Sequence, residues 1–193
     1  MSLATRSPSQ GERCQEALLD INVVGTSGSG KTHFSRRLAA TLGVRCVELD
    51  ALFWQPGWVE SGDEEFLARI AATLAEGPFV LDGNYTRSIP VKWRTVRTVI
   101  WLDYSFALTL RRAIGRALYR CWTQQELWPG TGNRERWRAL FSRDSIVGWT
   151  IRTHARTRRN YETLQNDPRY AHIRFIRLRN PREAEDWLSS LPT

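Results

Sequence analysis

No stretch of the chain restricts its fold more than residues 19–42. Ile21-Asn22-Val23-Val24 is short and rich in β-branched residues, as a buried strand should be. Gly25-Thr26-Ser27-Gly28-Ser29-Gly30-Lys31-Thr32 follows and satisfies Gly-x-x-x-x-Gly-Lys-[Ser/Thr], the phosphate-binding loop pattern. Phe34, Leu38 and Leu42 then recur at i, i+4 and i+8, with Gly43 to stop the helix they predict. Glycines reach positive φ and let backbone N–H groups approach a ligand with no Cβ in the way. Those N–H groups form an anion nest, to which the following helix adds its positive end. In such a loop Lys31 reaches the β- and γ-phosphates and the Thr32 hydroxyl sits on Mg²⁺. A nucleoside triphosphate is the expected ligand, held by Gly25, Thr26, Ser27, Gly28, Ser29, Gly30, Lys31 and Thr32.

Further along, strand-like and helix-like segments alternate. Val44–Asp50, Phe79–Asp82, Thr98–Asp103 and His172–Leu178 read as strands, the first three ending in a carboxylate. Ser61-x-x-Glu64 has the form of a capping box, opening a helix through Phe66, Ile70 and Leu74. Ser105 is placed to cap a helix carrying Leu108, Leu110, Ile114 and Leu118. A long basic helix is expected from about residue 144 to 166, and Pro181 opens a last one. This alternation predicts an α/β fold with a parallel sheet. Right-handed crossovers then put the carboxyl ends of the strands on one edge, where ligands of open sheets bind. The loop, Asp50, Asp82 and Asp103 should share that rim.

Composition narrows the surroundings. A chain of 193 residues fits one domain, expected over 17–193, preceded by a disordered polar arm over 1–16. Cys14, Cys46 and Cys121 are odd in number and far apart, which suggests neither a disulfide framework nor a zinc site and favours the cytoplasm. No apolar run is long enough to span a bilayer. The net charge of +8 comes almost wholly from arginine, since only Lys31 and Lys92 are lysines. Arginines serving polyphosphate, a nucleic-acid surface or solvated faces would all produce it. No helix-turn-helix or RNA-binding motif stands out, so nucleic acid is not expected as a specific partner.

The loop together with Phe79-Val80-Leu81-Asp82-Gly83 resembles the adenylate-kinase-like P-loop kinases. Glu48–Trp54 with Pro56 and Trp58, Val80–Tyr85, Trp101–Tyr104, Glu126–Trp128, Ser142–Ile146 and Arg177–Pro181 look like the bacterial "DNA topology modulation protein" group. The resemblance implies a three-layer P-loop NTPase fold with a five-stranded parallel sheet in the order 2-3-1-4-5. It also implies ATP with Mg²⁺, an acceptor-side region at about 50–78 and an arginine-bearing lid at about 124–143. The chain departs from adenylate kinase itself: Asn84-Tyr85-Thr86 follows Asp82-Gly83, and no Arg or Lys lies between Val47 and Ala68 to hold an acceptor phosphate.

The expected activity is ATP-dependent transfer of the γ-phosphoryl group to a small acceptor: a nucleoside, a nucleotide or another hydroxyl compound. The alternative is a non-catalytic ATP-binding regulator with weak nucleic-acid affinity. A switch GTPase would carry Asn-Lys-x-Asp, which is absent. Thr32 and Asp82 are the expected Mg²⁺ residues. Asp50 is read either as the base for a hydroxyl acceptor or as a cap or substrate-orienting acid. Arg116 and Arg120 stand on one helix face with Arg112, and Arg143 and Arg156 follow the lid; these arginines are the candidates to meet γ-phosphate charge. Trp54 and Trp58 either stack on substrate or anchor their loop.

Overall fold

The computed structural model describes residues 19–135, 137–140 and 146–191. The proposed arm over 1–16 and Arg143 lie outside the described residues.

The strands are β1 (Ile21–Gly25), β2 (Arg45–Glu48), β3 (Trp54–Gln55), β4 (Val59–Glu60), β5 (Phe79–Asp82), β6 (Thr98–Leu102) and β7 (Arg174–Leu178). The helices are α1 (Lys31–Leu42), α2 (Leu49–Phe53), α3 (Asp63–Leu74), α4 (Ile89–Lys92), α5 (Phe106–Thr123), α6 (Trp137–Leu140), α7 (Ile146–Leu164) and α8 (Pro181–Ser189). Five strands form one parallel sheet in the order β2-β5-β1-β6-β7. Numbering only those five along the chain gives 2-3-1-4-5, the expected order. β3 and β4 make a separate antiparallel hairpin.

Alternation along β1 feeds two cores. Ile21 and Val23 point to the face covered by α1 and α8, with Phe34, Leu38 and Leu188. Val24 points to the opposite face with Phe66, Trp93, Trp101 and Tyr161. Buried Asn22 stands among them, and its partners explain why it is tolerated. Its Nδ2 donates to the carbonyls of Leu81 (3.0 Å) and Gly83 (3.2 Å), and its Oδ1 accepts from Trp93 Nε1 (3.0 Å). A buried polar group whose nitrogen and oxygen are both hydrogen-bonded costs little and fixes one arrangement.

Four local expectations change. β2 ends at Glu48, and Asp50 lies in the short helix α2 rather than on the strand. Ser61 does not cap α3; Gly62 occupies that position, while the Ser61 N–H (2.9 Å) and hydroxyl (2.8 Å) both donate to the Phe53 carbonyl and close the hairpin. Ser105 is the N-cap of α5 but makes no side-chain cap bond. Finally, α5 buries Thr109, Ala113, Ala117 and Cys121, not the larger apolar residues beside them. The phosphate loop accounts for the first turns, where a Cβ on Gly28 would stand 2.1 Å from the Thr109 carbonyl oxygen and 3.0 Å from the Ala113 nitrogen, and α7 packs along the same helix. Ile114 and Leu118 are turned outward.

Candidate active site

The loop runs from the last residue of β1 into the first turn of α1. Gly25, Gly28 and Gly30 have φ of 150°, 82° and 89°. At Gly28 the requirement is double, since a side chain would be strained by φ and would also strike α5. Lys31 folds back across the loop, its Nζ donating to the Thr26 carbonyl at 3.1 Å. Asn84 closes the loop's base, accepting from the Gly25 N–H at 3.0 Å and donating to the Gly25 carbonyl at 2.8 Å. It thus replaces a missing strand partner, and Tyr161 OH reaches it at 3.4 Å.

Thr32 Oγ1 donates to Asp82 Oδ2 at 2.5 Å, and Asp82 Oδ1 is buried with no protein partner. Burial pushes the Asp82 carboxyl up from its ordinary value, against the pull of Lys31 and the Thr32 hydrogen bond. Burial lowers Lys31, with Asp82 and Asp50 opposing that shift and Arg116 adding to it. Asp50 is exposed on α2, where Tyr85 OH donates to its Oδ1 at 2.7 Å. Burial first, then the neighbouring Asp50, push the Tyr85 phenol up, so Tyr85 stays protonated and remains a donor. Arg116 places its Nη2 2.8 Å from Ser27 Oγ and has a buried Nε without a partner.

Four buried side-chain atoms among the described residues lack a hydrogen-bond partner: Ser29 Oγ, Ser35 Oγ, Asp82 Oδ1 and Arg116 Nε. Three of them belong to the loop or to residues touching it. Unsatisfied buried groups are rare and call for a reason, and here a bound polyphosphate and cation would supply one. Oxygen donors from Thr32 and Asp82 suit a hard cation that keeps most of its ligands as water and phosphate oxygen. Among the described residues no cluster of three or more His, Cys, Asp or Glu would hold a metal by itself.

The other candidates are placed differently. Arg120 pairs with Glu135 at 3.1 Å. Arg156 is exposed on α7, with no ion pair or hydrogen bond among the described residues. Asp103 stands at the end of β6 but is fully engaged, pairing with Arg158 (2.8 Å) and Arg177 (2.6 Å), which hold its carboxyl below the usual range against the cost of burial. Trp54 and Trp58 pack on each other and on Trp128, the Trp54 and Trp128 rings being stacked at 6.2 Å. Buried Asn133 joins the same two segments, donating to the Gln55 carbonyl and accepting from the Trp58 N–H, both at 2.9 Å.

No protein-family model matches the chain. Over 134 residues it is 31% identical to the shikimate kinase of Mycobacterium ulcerans, a span covering 62% of this chain and 70% of that relative. The chain belongs to the P-loop kinase family that such shikimate kinases represent. The shikimate kinase of Mycobacterium avium is 30% identical over 137 residues, covering 64% and 74% of the two chains. Among solved structures of P-loop kinases, that of the Acinetobacter baumannii shikimate kinase in complex with shikimate superposes with a TM-score of 0.51 at 18% identity, covering 92% of each chain, which speaks for the fold.

Several site residues of this P-loop kinase carried no clear signal in the sequence. Arg112 brings its Nη1 to 3.6 Å from where a Gly30 Cβ would stand and lies over the Tyr104 ring. Its spacing with Arg116 was visible, but not which end of that row met the loop. Lys92 is wholly buried and donates to the carbonyls of Gly83 (3.4 Å) and Asn84, the turn that presents Asn84 and Tyr85. Burial alone pulls its ammonium down to about 7. The unfolded chain then binds the proton between pH 7 and about 10.4 while the native chain does not, so stability rises with pH across that window, by at most ~1.4 kcal/mol per unit. Lys92→Met should flatten this slope, seen as urea midpoints that no longer climb between pH 7 and pH 10. A climb equal to that of the unsubstituted chain would refute it.

Proposed function

We propose that the chain transfers the γ-phosphoryl group of ATP to a hydroxyl group of a small, uncharged acceptor. The observation that carries this reading is the gathering, at one sheet edge, of Lys31, the Thr32–Asp82 pair, Arg116 and the Tyr85-held Asp50 around the glycine loop. Phosphoryl transfer asks of protein mainly alignment and charge neutralisation. The loop amides and Lys31 would hold the β- and γ-phosphates, and Arg116 would add donors where charge spreads. Thr32 and Asp82 would hold Mg²⁺, which when bound neutralises phosphate charge. Asp50 would take the proton of the attacking hydroxyl, kept in position by Tyr85.

The acceptor's charge follows from what the nearby cations already do. Arg69 is paired with Glu65 at 2.5 Å and also donates to the Leu52 carbonyl and Ser61 Oγ. Arg87 is paired with Asp63 at 3.1 Å and lies over the Phe53 ring. A carboxylate or phosphate on the acceptor would have to compete with these pairs, whereas hydroxyls need only Asp50 and backbone groups. The departures from adenylate kinase at residues 84–87, and the lack of Arg or Lys between Val47 and Ala68, support an acceptor other than AMP.

The test is ADP release with Mg·ATP across a panel of neutral polyols and nucleosides, nucleoside monophosphates, and hydroxy acids including shikimate. A neutral hydroxyl compound should raise release well above the acceptor-free rate and leave a phosphate ester. Stimulation by monophosphates alone, or by hydroxy acids alone, would overturn the assignment.

A further inference from the structure

Among the described residues, the outward face of α5 is left largely uncovered. Trp122 is 81% exposed, Tyr119 62%, Leu118 46% and Ile114 40%, and a Cβ added to Gly115 among them would meet open space. The opposite face is small where it meets the phosphate loop at Thr109 and Ala113, and the bulky residues face out. Large side chains present about 150–250 Å² each when free, so these fractions leave roughly 500 Å² of apolar surface, the upper end for a monomer. An exposed glycine in mid-helix costs about 1 kcal/mol relative to alanine, yet it lets a second backbone come close.

The order of residues on this face fits one occupant. In an antiparallel pair of identical helices about a two-fold axis, residue i of one copy meets residue j of the other when their numbers have a constant sum. One register sets Arg111 against Trp122, Ile114 against Tyr119 and Gly115 against Leu118, and each contact occurs twice. Each pair is complementary: guanidinium on indole face, aliphatic on aromatic, large on small. Arg111 is the one charged residue within the stripe, and α5 carries no acid to offer it. The two copies of Arg111 would stand about 16 Å apart along the helices, beyond the ~8 Å over which exposed charges act at physiological salt. The apolar area of both copies, roughly 1,000 Å², reaches what a specific interface requires.

We propose that the chain forms a two-fold homodimer through the Arg111–Trp122 face of α5. The phosphate loop lies against the other side of the same helix, so pairing leaves the loop open.

Sedimentation equilibrium of the full chain tests this. The unsubstituted chain should be dimeric at micromolar concentration. Trp122→Lys faces Arg111 with a second cation and should raise the dimer dissociation constant about 30-fold or more. Adding Arg111→Glu to it places an acid opposite that lysine and should recover most of the loss, which only this register explains. Both positions are exposed, so circular dichroism melting should show folded monomers. A monomer at 100-fold higher concentration, including one that sediments with phosphatidylserine vesicles, would overturn the proposal. So would a dimer indifferent to Trp122→Lys.

Discussion

Lys31→Met should remove turnover, with kcat/KM falling ~10³-fold or more, the scale seen when a cation or donor aimed at transferring phosphate is lost. The unliganded fold should survive. Lys31 contributes no packing to either core, and its one hydrogen bond, to the Thr26 carbonyl, lies inside the loop. Its charge is disfavoured by burial and by Arg116 but favoured by Asp82, so methionine relieves a desolvated cation while taking one from buried Asp82, and the two effects oppose each other. Stability in urea should therefore change little, while calorimetric heat with Mg·ATP is lost. Turnover within tenfold of the unsubstituted chain would mean that Lys31 is not the phosphate cation. A collapse in stability would mean that it organises the loop instead.

What could be read from residue order, and what could not, follows a physical division. Local patterns located the five strands of the parallel sheet, and β5 falls on Phe79–Asp82 as expected, but β2 and β7 are shorter than their apolar runs and β3 and β4 carried no such signal. The loop was equally plain because its glycines answer a backbone requirement that no other residue meets. The failures lie where a residue serves something distant in sequence. Ser61 and Glu64 have the spacing of a cap, yet the Ser61 hydroxyl is taken by Phe53 across a hairpin. The leucines and isoleucine of α5 have the look of a core stripe, but proximity to Gly28 and to α7 decides which face turns inward. Asn84 was visible as a departure from adenylate kinase; its hydrogen bonds to Gly25 span 59 residues, and nothing local announces them. Lys92 and Asn133 are likewise polar residues whose partners come from tertiary structure alone.

Asp50→Asn separates the two roles left open for that carboxylate. Asparagine keeps an oxygen able to accept from Tyr85 OH and keeps nearly the same volume, so substrate orientation should change little. It cannot take a proton. If Asp50 is the base, kcat on a neutral alcohol should fall ~10²–10⁴-fold with KM little altered, since the lost interaction belongs to the transition state. Tyr85→Phe provides the contrast. It leaves the carboxylate but releases it from its donor, and because the phenol stays protonated it offers no second base. Its effect should be the smaller, within about tenfold in kcat, the scale of one net hydrogen bond of roughly 1 kcal/mol. The reverse order, with Asp50→Asn mild and Tyr85→Phe severe, would assign Asp50 to orientation and leave the proton to solvent or to phosphate. That outcome is chemically reasonable for a loose phosphoryl-transfer transition state, in which the attacking oxygen loses its proton late. The comparison of the two variants therefore decides the role of Asp50, and a fall in either one alone does not.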